Sequence, residues 1–296
     1  MHTLSHCPVC NSEKLKNAFS CVDHTTTQET FQVQTCNQCS FTLTNPRPND
    51  DQLGKYYESN DYISHSNNQK GIFNRIYQMV RYHAMESKFK LINGLNSNGL
   101  VLDYGCGTGE FLQEAKRQQW TVRGIEPSEK ARAQAIGKLP AEVLGTLAEV
   151  PEQEAYDVVT LFHVLEHIHS LRKTVKKIAS HLKSNGYLVI AVPNPESADA
   201  KHYGKDWAGY DVPRHLYHFS EKSMNIFQSE FGMELVRVEP LTYDSYYVSL
   251  LSEGYKNPNS GLFSRYLNAF LQGYKSNQKA GKPGQYSSNI FIFKKK

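Results

Sequence analysis

Three glycines occupy five consecutive positions in the segment LDYGCGTGEF, residues 102–111, directly after an apolar run. Glycine permits a tight turn and lets a ligand touch bare backbone, so such a run is typical of a nucleotide-like ligand site. The dinucleotide pattern G-x-G-x-x-G binds a pyrophosphate, but the spacing here is G-x-G-x-G, and Glu110 replaces the third glycine. Asp103 stands just before the turn. Because the two acids would repel a pyrophosphate, the turn favours a ligand with an ammonium group and no phosphate.

A further acid, Glu126, lies at the end of the next apolar run, in the letters GIEPS. At this position in nucleotide-binding folds, a carboxylate accepts hydrogen bonds from ribose hydroxyls. The predicted ligand therefore carries a ribose, an amine and no phosphate. S-adenosylmethionine meets this description and is the cofactor that the sequence predicts.

Four of the six cysteines form two C-x₂-C pairs, CPVC and CNQC. Such pairs converge on one Zn²⁺ through four thiolates, and four protein ligands leave no open position for catalysis. A redox role would need a βαβ context that is missing here. The sequence predicts a structural zinc site with a ribbon hairpin between the pairs, although Ser40 follows the second pair where a glycine is usual. Cys21 could compete as a ligand. The predicted zinc ligands are Cys7, Cys10, Cys36 and Cys39.

The elements that position these residues can be read from the hydrophobic pattern. From Leu100 onward, short apolar runs alternate with helical patterns, which predicts a parallel sheet with right-handed crossovers. Ligands of such sheets bind beyond the carboxyl ends of the strands, which is where the glycine turn lies. Strands are predicted at 100–104, 121–126, 141–144, 156–162, 187–192 and 233–239 and in the final NIFIFKK, and helices at 108–119, 128–138, 170–183 and 220–231.

Composition divides the chain into three regions: a zinc-ribbon module at 1–45, a helical lid and linker at 46–98, and the alternating α/β region at 99–296. The last region contains an aromatic insertion, about 241–286, that is predicted to be helical. Tyrosines in the lid and the insertion either close over the ligand or pack against the sheet. These residues are Tyr56, Tyr57, Tyr62 and His65 in the lid, and Tyr243, Tyr246 and Tyr247 in the insertion.

The segments VLDYGCGTGEF, GIEPS and YDVVTLFHVLEHI together resemble the class I S-adenosylmethionine-dependent methyltransferases over about residues 99–240. The resemblance implies a Rossmann-like α/β fold with a seven-stranded sheet and an antiparallel last strand. It also implies the cofactor contacts: Asp103 and the backbone of Gly105 and Gly107 for the methionine part, Glu126 for the ribose, Leu147 and Ala148 for the adenine, and His163 to close the pocket.

The letters HVLEH, residues 163–167, also match H-x-x-E-H, the signature of one class of zinc peptidase. A buried strand runs straight into this segment and leaves no long helix for a peptidase site. The same letters recur in the methyltransferases that the chain resembles. In some quinone-type O-methyltransferases this loop helps to place a divalent metal ion, so a metal role for Glu166 and His167 stays open. His169 is predicted at the surface.

The segment WAGYDVPRHLYHFS, residues 207–220, follows the fifth strand, where class I methyltransferases build the wall of the acceptor site. Methyl transfer to oxygen or to an enol-type carbon requires a base, and a positioned histidine contributes about 10²–10⁴-fold. This segment is similar to one in methyltransferases with an N-terminal zinc module, including deoxysugar C-methyltransferases, in which a histidine is the base. His215 is the first candidate for the base, and His218 and His163 are the others. For His218 a core role is equally open.

The remaining residues of this segment are predicted to contact the acceptor. A planar guanidinium suits a phosphate or carboxylate, so Arg214 favours a phosphorylated or nucleotide-linked acceptor over a neutral phenol. A small molecule methylated on oxygen or carbon is the predicted substrate. The predicted acceptor contacts are Trp207, Tyr210, Arg214 and Tyr217.

Composition weighs against other classes of function. A formal net charge of +4 is mild, and residues 1–40 contain only Lys14 and Lys16, too few for the phosphate contacts of a nucleic-acid-binding ribbon. Because zinc ribbons often bind nucleic acid, an RNA or DNA methyltransferase is the rival interpretation, which this scarcity of basic residues disfavours, and a catalytically silent cofactor-binding scaffold is a second. Apolar runs fall short of the roughly 18 residues of a membrane span, and no signal-peptide pattern is present. The sequence predicts a cytoplasmic protein.

Overall fold

The computed structural model describes residues 1–57, 72–228 and 231–296. Its centre is a seven-stranded sheet in the order β10-β11-β8-β7-β4-β5-β6. Only β11 runs antiparallel to its neighbours, so the predicted fold class is confirmed. The strands are β4 (Leu100–Tyr104), β5 (Thr121–Ile125), β6 (Val143–Leu144), β7 (Tyr156–Phe162), β8 (Leu182–Pro193), β10 (Met233–Pro240) and β11 (Ser288–Lys295).

Helices cover the sheet and account for the alternation in the sequence. The first is longer than any other described helix. In chain order they are α1 (Ile72–Leu95), α2 (Glu110–Arg117), α3 (Glu129–Lys138), α4 (Leu171–Ser180), α5 (Ala198–Tyr203), α6 (Glu221–Gln228), α7 (Asp244–Lys256) and α8 (Leu262–Ala280).

The central strands form because their residues are apolar on both faces. In β7 the side chains from Val158 to Leu161 are buried without alternation, as expected of a strand covered by helices on both sides. Helix α3 begins where Ser128 accepts a hydrogen bond from Ala131 N, and α6 begins after Ser220, which accepts from Ser223 N.

Strand β8 is longer than predicted, and helix α4 is correspondingly shorter. The prediction of 187–192 places the first residues of β8 in the helix, but the strand begins at Leu182, which pairs with Tyr156 of β7. After this pair the register between the two strands shifts. The segment that contains Gly186 lies beside β7 in this irregular stretch, and regular pairing resumes at Tyr187. Pairing with a neighbouring strand has thus overridden the local helical pattern.

A second, four-stranded antiparallel sheet lies near the N-terminus, in the order β1-β2-β3-β9. Its first three strands come from the cysteine-rich region. The fourth, β9, belongs to the segment predicted to form the acceptor wall. Residues more than 170 positions apart thus share one sheet. The strands are β1 (Leu15–Val22), β2 (Thr30–Cys36), β3 (Thr42–Thr44) and β9 (Tyr217–His218).

The predicted aromatic insertion is a pair of helices, α7 and α8, between β10 and β11. They pack closely where Gly273 of α8 faces Tyr246 of α7; a Cβ at Gly273 would lie 2.7 Å from the tyrosine ring.

Among the described residues, none of the helices combines the length and the apolar character that crossing a bilayer requires.

Candidate active site

The glycine turn lies at the carboxyl end of β4, as predicted. Gly105, Gly107 and Gly109 all have φ between +57° and +83°, a region that side chains with a Cβ avoid. A Cβ on Gly105 would lie 2.4 Å from Val164 Cγ2, whereas a Cβ on Gly107 would meet nothing within 4 Å. The turn therefore leaves open backbone at Gly107, on the side where a ligand can approach.

Asp103, the next-to-last residue of β4, lies just before this turn, buried and held by a neighbouring strand. Its Oδ1 accepts a hydrogen bond of 2.6 Å from Thr160 Oγ1. Burial raises the pKa of Asp103 to about 6, although Thr160 and Lys88 oppose this shift. A buried carboxylate at this position is well placed to attract an ammonium group.

Glu126 is fixed by backbone donors on both sides of the cleft. Its Oε2 accepts from Gly107 N and its Oε1 from Ser128 N, both at 2.8 Å. The side chain thus bridges the glycine turn and the start of α3. Beyond the third strand, Leu147 is half-buried and Ala148 exposed within a short 3₁₀ helix, Leu147–Glu149.

The loop after β7 brings a histidine, an acid and the insertion together. His163 has a φ of +58°, and its Nε2 lies 3.1 Å from Asp244 Oδ2 at the start of α7. Its Nδ1 is 3.6 Å from Glu166 Oε1. Burial alone lowers the pKa of His163, but the two carboxylates raise it to about 9. His163 is therefore cationic at neutral pH. Nothing in the sequence near Asp244 signalled this contact.

Arg214 is the centre of a buried ion-pair network. Its guanidinium donates to Asp211 at 2.6 and 3.0 Å, to Asp23 at 3.0 Å and to Tyr56 O at 2.9 Å. Only 1% of the side chain is exposed. The nearby acids raise the pKa of Arg214 against the effect of burial. Arg214 therefore joins the loop to the N-terminal module, a different role from the acceptor contact that the sequence predicts.

Two histidines and one acid meet beside this network. His215 Nδ1 lies 2.9 Å from Gly209 O, and His167 Nδ1 lies 3.0 Å from Arg214 O. The two imidazole rings are in edge-to-face contact at 4.7 Å. Glu166 is 1% exposed, and neither of its carboxylate oxygens has a hydrogen-bond partner among the described residues. Ligand atoms of Glu166, His167 and His215 all lie within 4.8 Å of one another.

His218 occupies a core position. Its ring is buried, and its Nε2 lies 3.3 Å from Thr44 Oγ1 across the β3–β9 pair. Burial and the nearby His215 lower the pKa of His218 to about 3, so the ring is neutral. This environment matches the core role that the sequence left open for His218.

The predicted aromatic acceptor contacts are also buried. Trp207 Nε1 donates to Asp199 Oδ2 at 2.8 Å, and Tyr217 OH donates to His169 O at 3.0 Å. Tyr210 packs edge-on against both Trp207 and His218. These rings pack against the loop on its buried side. Of the residues predicted for the acceptor site, His215 therefore lies nearest to Glu166 and His167.

The tyrosines of the lid and the insertion divide between packing and the site. Tyr56 is buried and donates to Glu29, while Tyr57 OH lies 3.2 Å from His167 Nδ1. Tyr246 stacks on Phe270 within the insertion. Tyr243 and Tyr247 are exposed. Tyr62 and His65 lie outside the described residues.

The four paired cysteines meet in one cluster. Cys7 Sγ is 3.6 Å from Cys39 Sγ, and Cys10 Sγ is 3.6 Å from Cys36 Sγ. Zn–S bonds of about 2.3 Å in a tetrahedron separate the sulfurs by about 3.8 Å, so the spacing fits a zinc ion. Cys21 is buried elsewhere, against the β1–β2 ribbon and Trp207.

The two cysteine loops have the same backbone geometry. Asn11 N donates to Cys7 O and Ser40 N to Cys36 O, both at 2.9 Å, and both donors have positive φ. Ser40 therefore adopts the conformation for which glycine is usual. Burial raises the pKa of Cys36, but N–H groups of Cys39 and Gln38 overcome this effect and lower it to about 7. Burial instead raises the pKa of Cys7, to about 11, and that of Cys39, so among these three thiols the lowered pKa is particular to Cys36.

Comparison with known proteins identifies the family. A family model described as a methyltransferase domain matches residues 60–238, more than half of the chain. The chain belongs to the methyltransferase domain family. The ubiquinone biosynthesis O-methyltransferase of Rickettsia prowazekii (strain Madrid E) is 25% identical over 207 residues, which cover 64% of this chain and 81% of that protein. That of Bradyrhizobium diazoefficiens is 32% identical over 125 residues, 39% of this chain and 49% of that protein.

Solved structures agree with this family at the level of the fold. Magnesium protoporphyrin IX methyltransferase from Synechocystis PCC 6803, with bound S-adenosylmethionine, superposes with a TM-score of 0.51 at 17% identity. The match covers 86% of this chain and all of the other. The protein is a class I S-adenosylmethionine-dependent methyltransferase, as the sequence predicts.

Proposed function

We propose that this methyltransferase transfers the methyl group of S-adenosylmethionine to an oxygen or carbon of a small-molecule acceptor, with His215 as the general base. The observation that carries the proposal is the orientation of the His215 ring. Its Nδ1 is hydrogen-bonded to a carbonyl oxygen and must therefore bear the proton. Nε2 of the neutral ring is then an acceptor, 4.0 Å from Glu166 and 3.9 Å from Asp211.

Each residue of the site has a separate role in methyl transfer. When bound, S-adenosylmethionine supplies a methyl group on a positively charged sulfur. Asp103 attracts its ammonium group and Glu126 accepts from its ribose. Attack of the acceptor on this methyl carbon would break its bond to sulfur, with the neutral thioether leaving, while His215 Nε2 takes the proton of the acceptor. Glu166 and Asp211 then stabilise the imidazolium. His163, already cationic, favours the developing negative charge on the acceptor.

The acceptor that these residues suit is a phenol or an enol. Two carboxylates within 4.0 Å of the base disfavour a phosphate beside it, and Arg214 is fully engaged by Asp23, Asp211 and Tyr56. The preference for a phosphorylated or nucleotide-linked acceptor therefore loses its support. The similarity to proteins named ubiquinone biosynthesis O-methyltransferases favours an aromatic hydroxyl.

We further propose that Cys7, Cys10, Cys36 and Cys39 hold one structural zinc ion. Sulfur separations of 3.6 Å and two matching loops support it. Such a site requires reduced thiols, which favours a reducing compartment such as the cytoplasm. Metal analysis of freshly purified protein should give one zinc per chain, and its absence would contradict the proposal.

A second candidate mechanism uses a divalent cation. Glu166, whose oxygens make no hydrogen bond within the described residues, and the rings of His167 and His215 form a donor set that suits such an ion. The ion would polarise the acceptor oxygen, and His215 would then be a ligand instead of the base. Metal content distinguishes the two mechanisms: a second ion per chain that disappears in Glu166→Gln supports the cation, and a count that stays at one supports the base.

Steady-state kinetics of His215→Ala on a panel of phenols and enols tests the base. We expect kcat to fall by about 10²–10⁴-fold while the affinity for S-adenosylmethionine measured by titration calorimetry stays nearly unchanged. The kcat of His163→Ala is measured in the same way, so that the effect of removing His215 is compared with the effect of removing another histidine of the site. Near-normal kcat in His215→Ala would remove it as the base. Cofactor binding without turnover of any acceptor would favour the scaffold, and turnover of RNA or DNA alone would favour a nucleic-acid methyltransferase.

A further inference from the structure

Helix α8 carries its large apolar side chains on the outside. Its buried residues are small: Ala269, Gly273, Ser276 and Ala280. An ordinary surface helix buries its large apolar residues and exposes polar ones. Here that distribution is inverted, because close packing on α7 requires small residues on the inner face. The outer face is consequently left with a stripe of aromatic and aliphatic side chains.

The exposed stripe has a regular helical spacing. Phe263 is 83% exposed and Phe270 59%, although each carries a full phenyl ring. The positions follow i, i+3, i+4, i+7, i+8 and i+11, which places them along one side of the helix. Beginning at Phe263, the stripe comprises Phe263, Tyr266, Leu267, Phe270, Leu271 and Tyr274, each at least 38% exposed.

A groove extends this apolar surface toward α7. Leu250, Leu251, Tyr255 and Leu262 line a cavity of about 300 Å³, with Arg265 on its wall. Arg265 Nη2 donates to Pro258 O at 3.1 Å, but its Nε has no hydrogen-bond partner among the described residues. The groove thus offers an apolar slot and a cationic donor at the same place.

The charge around the stripe is of one sign. Residues 257–287 contain Arg265, Lys275, Lys279 and Lys282 and no aspartate or glutamate. The three lysines are exposed. The acids of α7 face inward, where Asp244 contacts His163 and Glu253 accepts from Tyr203 OH. An apolar stripe whose own segment, residues 257–287, carries cations and no acids complements an anionic surface, whereas a second copy of this chain would bring like charges together.

We propose that the outer face of α8 binds the surface of an anionic lipid bilayer. The helix lies in the plane of the interface, with the phenyl and leucyl groups among the acyl chains. Lysines and Arg265 contact the phosphates of the headgroups. The proposal concerns binding alone and is independent of the identity of the methyl acceptor.

Sedimentation of the full-length protein with lipid vesicles tests the proposal. We expect binding to vesicles of phosphatidylcholine with phosphatidylglycerol to be at least about tenfold tighter than to phosphatidylcholine alone, and to weaken with salt. Phe263→Ser with Leu267→Ser should weaken binding by about tenfold or more. The matched control is Val236→Ser with Ile136→Ser, two exposed apolar residues on other elements, which should bind like the original protein.

Charge variants separate the electrostatic contribution. Lys275→Glu with Lys279→Glu should lose about tenfold or more in affinity for the anionic vesicles, while Lys173→Glu with Lys176→Glu on α4 should not. Equal affinity for anionic and neutral vesicles, or no sedimentation with either, would overturn the proposal. So would a lipid-free dimer, measured by analytical ultracentrifugation, that Phe263→Ser with Leu267→Ser converts to a monomer, because the stripe would then belong to a second copy.

Discussion

The glycine turn and the proposed acceptor loop both contact the segment after β7 but differ in how they are built. The turn, residues 103–109, takes its conformation from its own glycines, and Glu126, which accepts from Gly107 N and Ser128 N, follows within one βα unit. The acceptor loop, residues 207–218, depends on distant parts of the chain. Asp23 and Thr44 of the N-terminal module and Glu166 after β7 all bond to it.

This difference implies that different parts of the structure position the residues for cofactor binding and the residues for acceptor chemistry. Among the described residues no hydrogen bond joins the glycine turn to the zinc module, whereas the base candidate His215 follows Arg214, which Asp23 anchors, and its carbonyl accepts from Thr44. Disturbing the N-terminal module should therefore damage turnover before cofactor affinity. Disturbing the turn should do the reverse. Four experiments test this separation.

Removal of zinc should have the largest effect. Structural zinc sites of this kind contribute about 10–16 kcal/mol in apparent free energy, so Cys36→Ala with Cys39→Ala should unfold the N-terminal module. We expect methyl transfer to be lost while titration calorimetry still detects S-adenosylmethionine binding. Cys21→Ala is the control and should keep its zinc. Loss of cofactor binding equal to the loss of turnover would break the separation.

Removal of the buried ion pair should have the next largest effect. Asp23→Ala leaves Arg214 buried with Asp211 as its remaining acid, which should lower the free energy of unfolding by about 3–5 kcal/mol. Glu13→Ala removes an exposed partner of His6 in the same module and should cost only about 0–1 kcal/mol. Denaturant unfolding measures both. Equal losses in the two variants would mean that Arg214 is not anchored by Asp23.

Two glycines of the turn form a matched pair. Gly105→Ala adds left-handed strain of about 1–2 kcal/mol and places a Cβ 2.4 Å from Val164 Cγ2. Gly107→Ala adds only the strain, because its Cβ would meet nothing within 4 Å. We expect Gly105→Ala to lose more stability in thermal unfolding, and Gly107→Ala to lose cofactor affinity. Normal affinity in Gly107→Ala would show that the cofactor does not approach that backbone.

The smallest effect is a pH dependence of cofactor affinity. The pKa of Asp103 is about 6 because the group is buried. At pH 5 about one-tenth of this group is ionised, so affinity should fall about tenfold between pH 7.5 and pH 5. Since this pKa is raised in the folded protein, protonation does not destabilise the fold through Asp103. Asp103→Asn should bind weakly with a flat profile. An unchanged affinity at pH 5 would contradict the role of Asp103.

Several features could be predicted because they depend on residues close together in sequence. Alternating apolar runs and helical patterns predict the sheet, and the glycine spacing with Glu126 predicts the cofactor turn. The length of β8 was not predictable from local pattern, because pairing of Leu182 with Tyr156 decides it. The role of Arg214 was not predictable either, since its partner Asp23 lies 191 positions away.

The sequence by itself determined the parallel sheet, the glycine turn and the pairing of four cysteines, because each follows from short-range spacing and backbone preference. Only the tertiary structure decided which histidine of the acceptor loop faces the pocket. His215 and His218 are three positions apart in the same polar and aromatic segment. The β3–β9 pair buries His218 against Thr44, whereas Gly209 O orients His215 toward Glu166. Contacts with distant strands, and not residue type, set this difference.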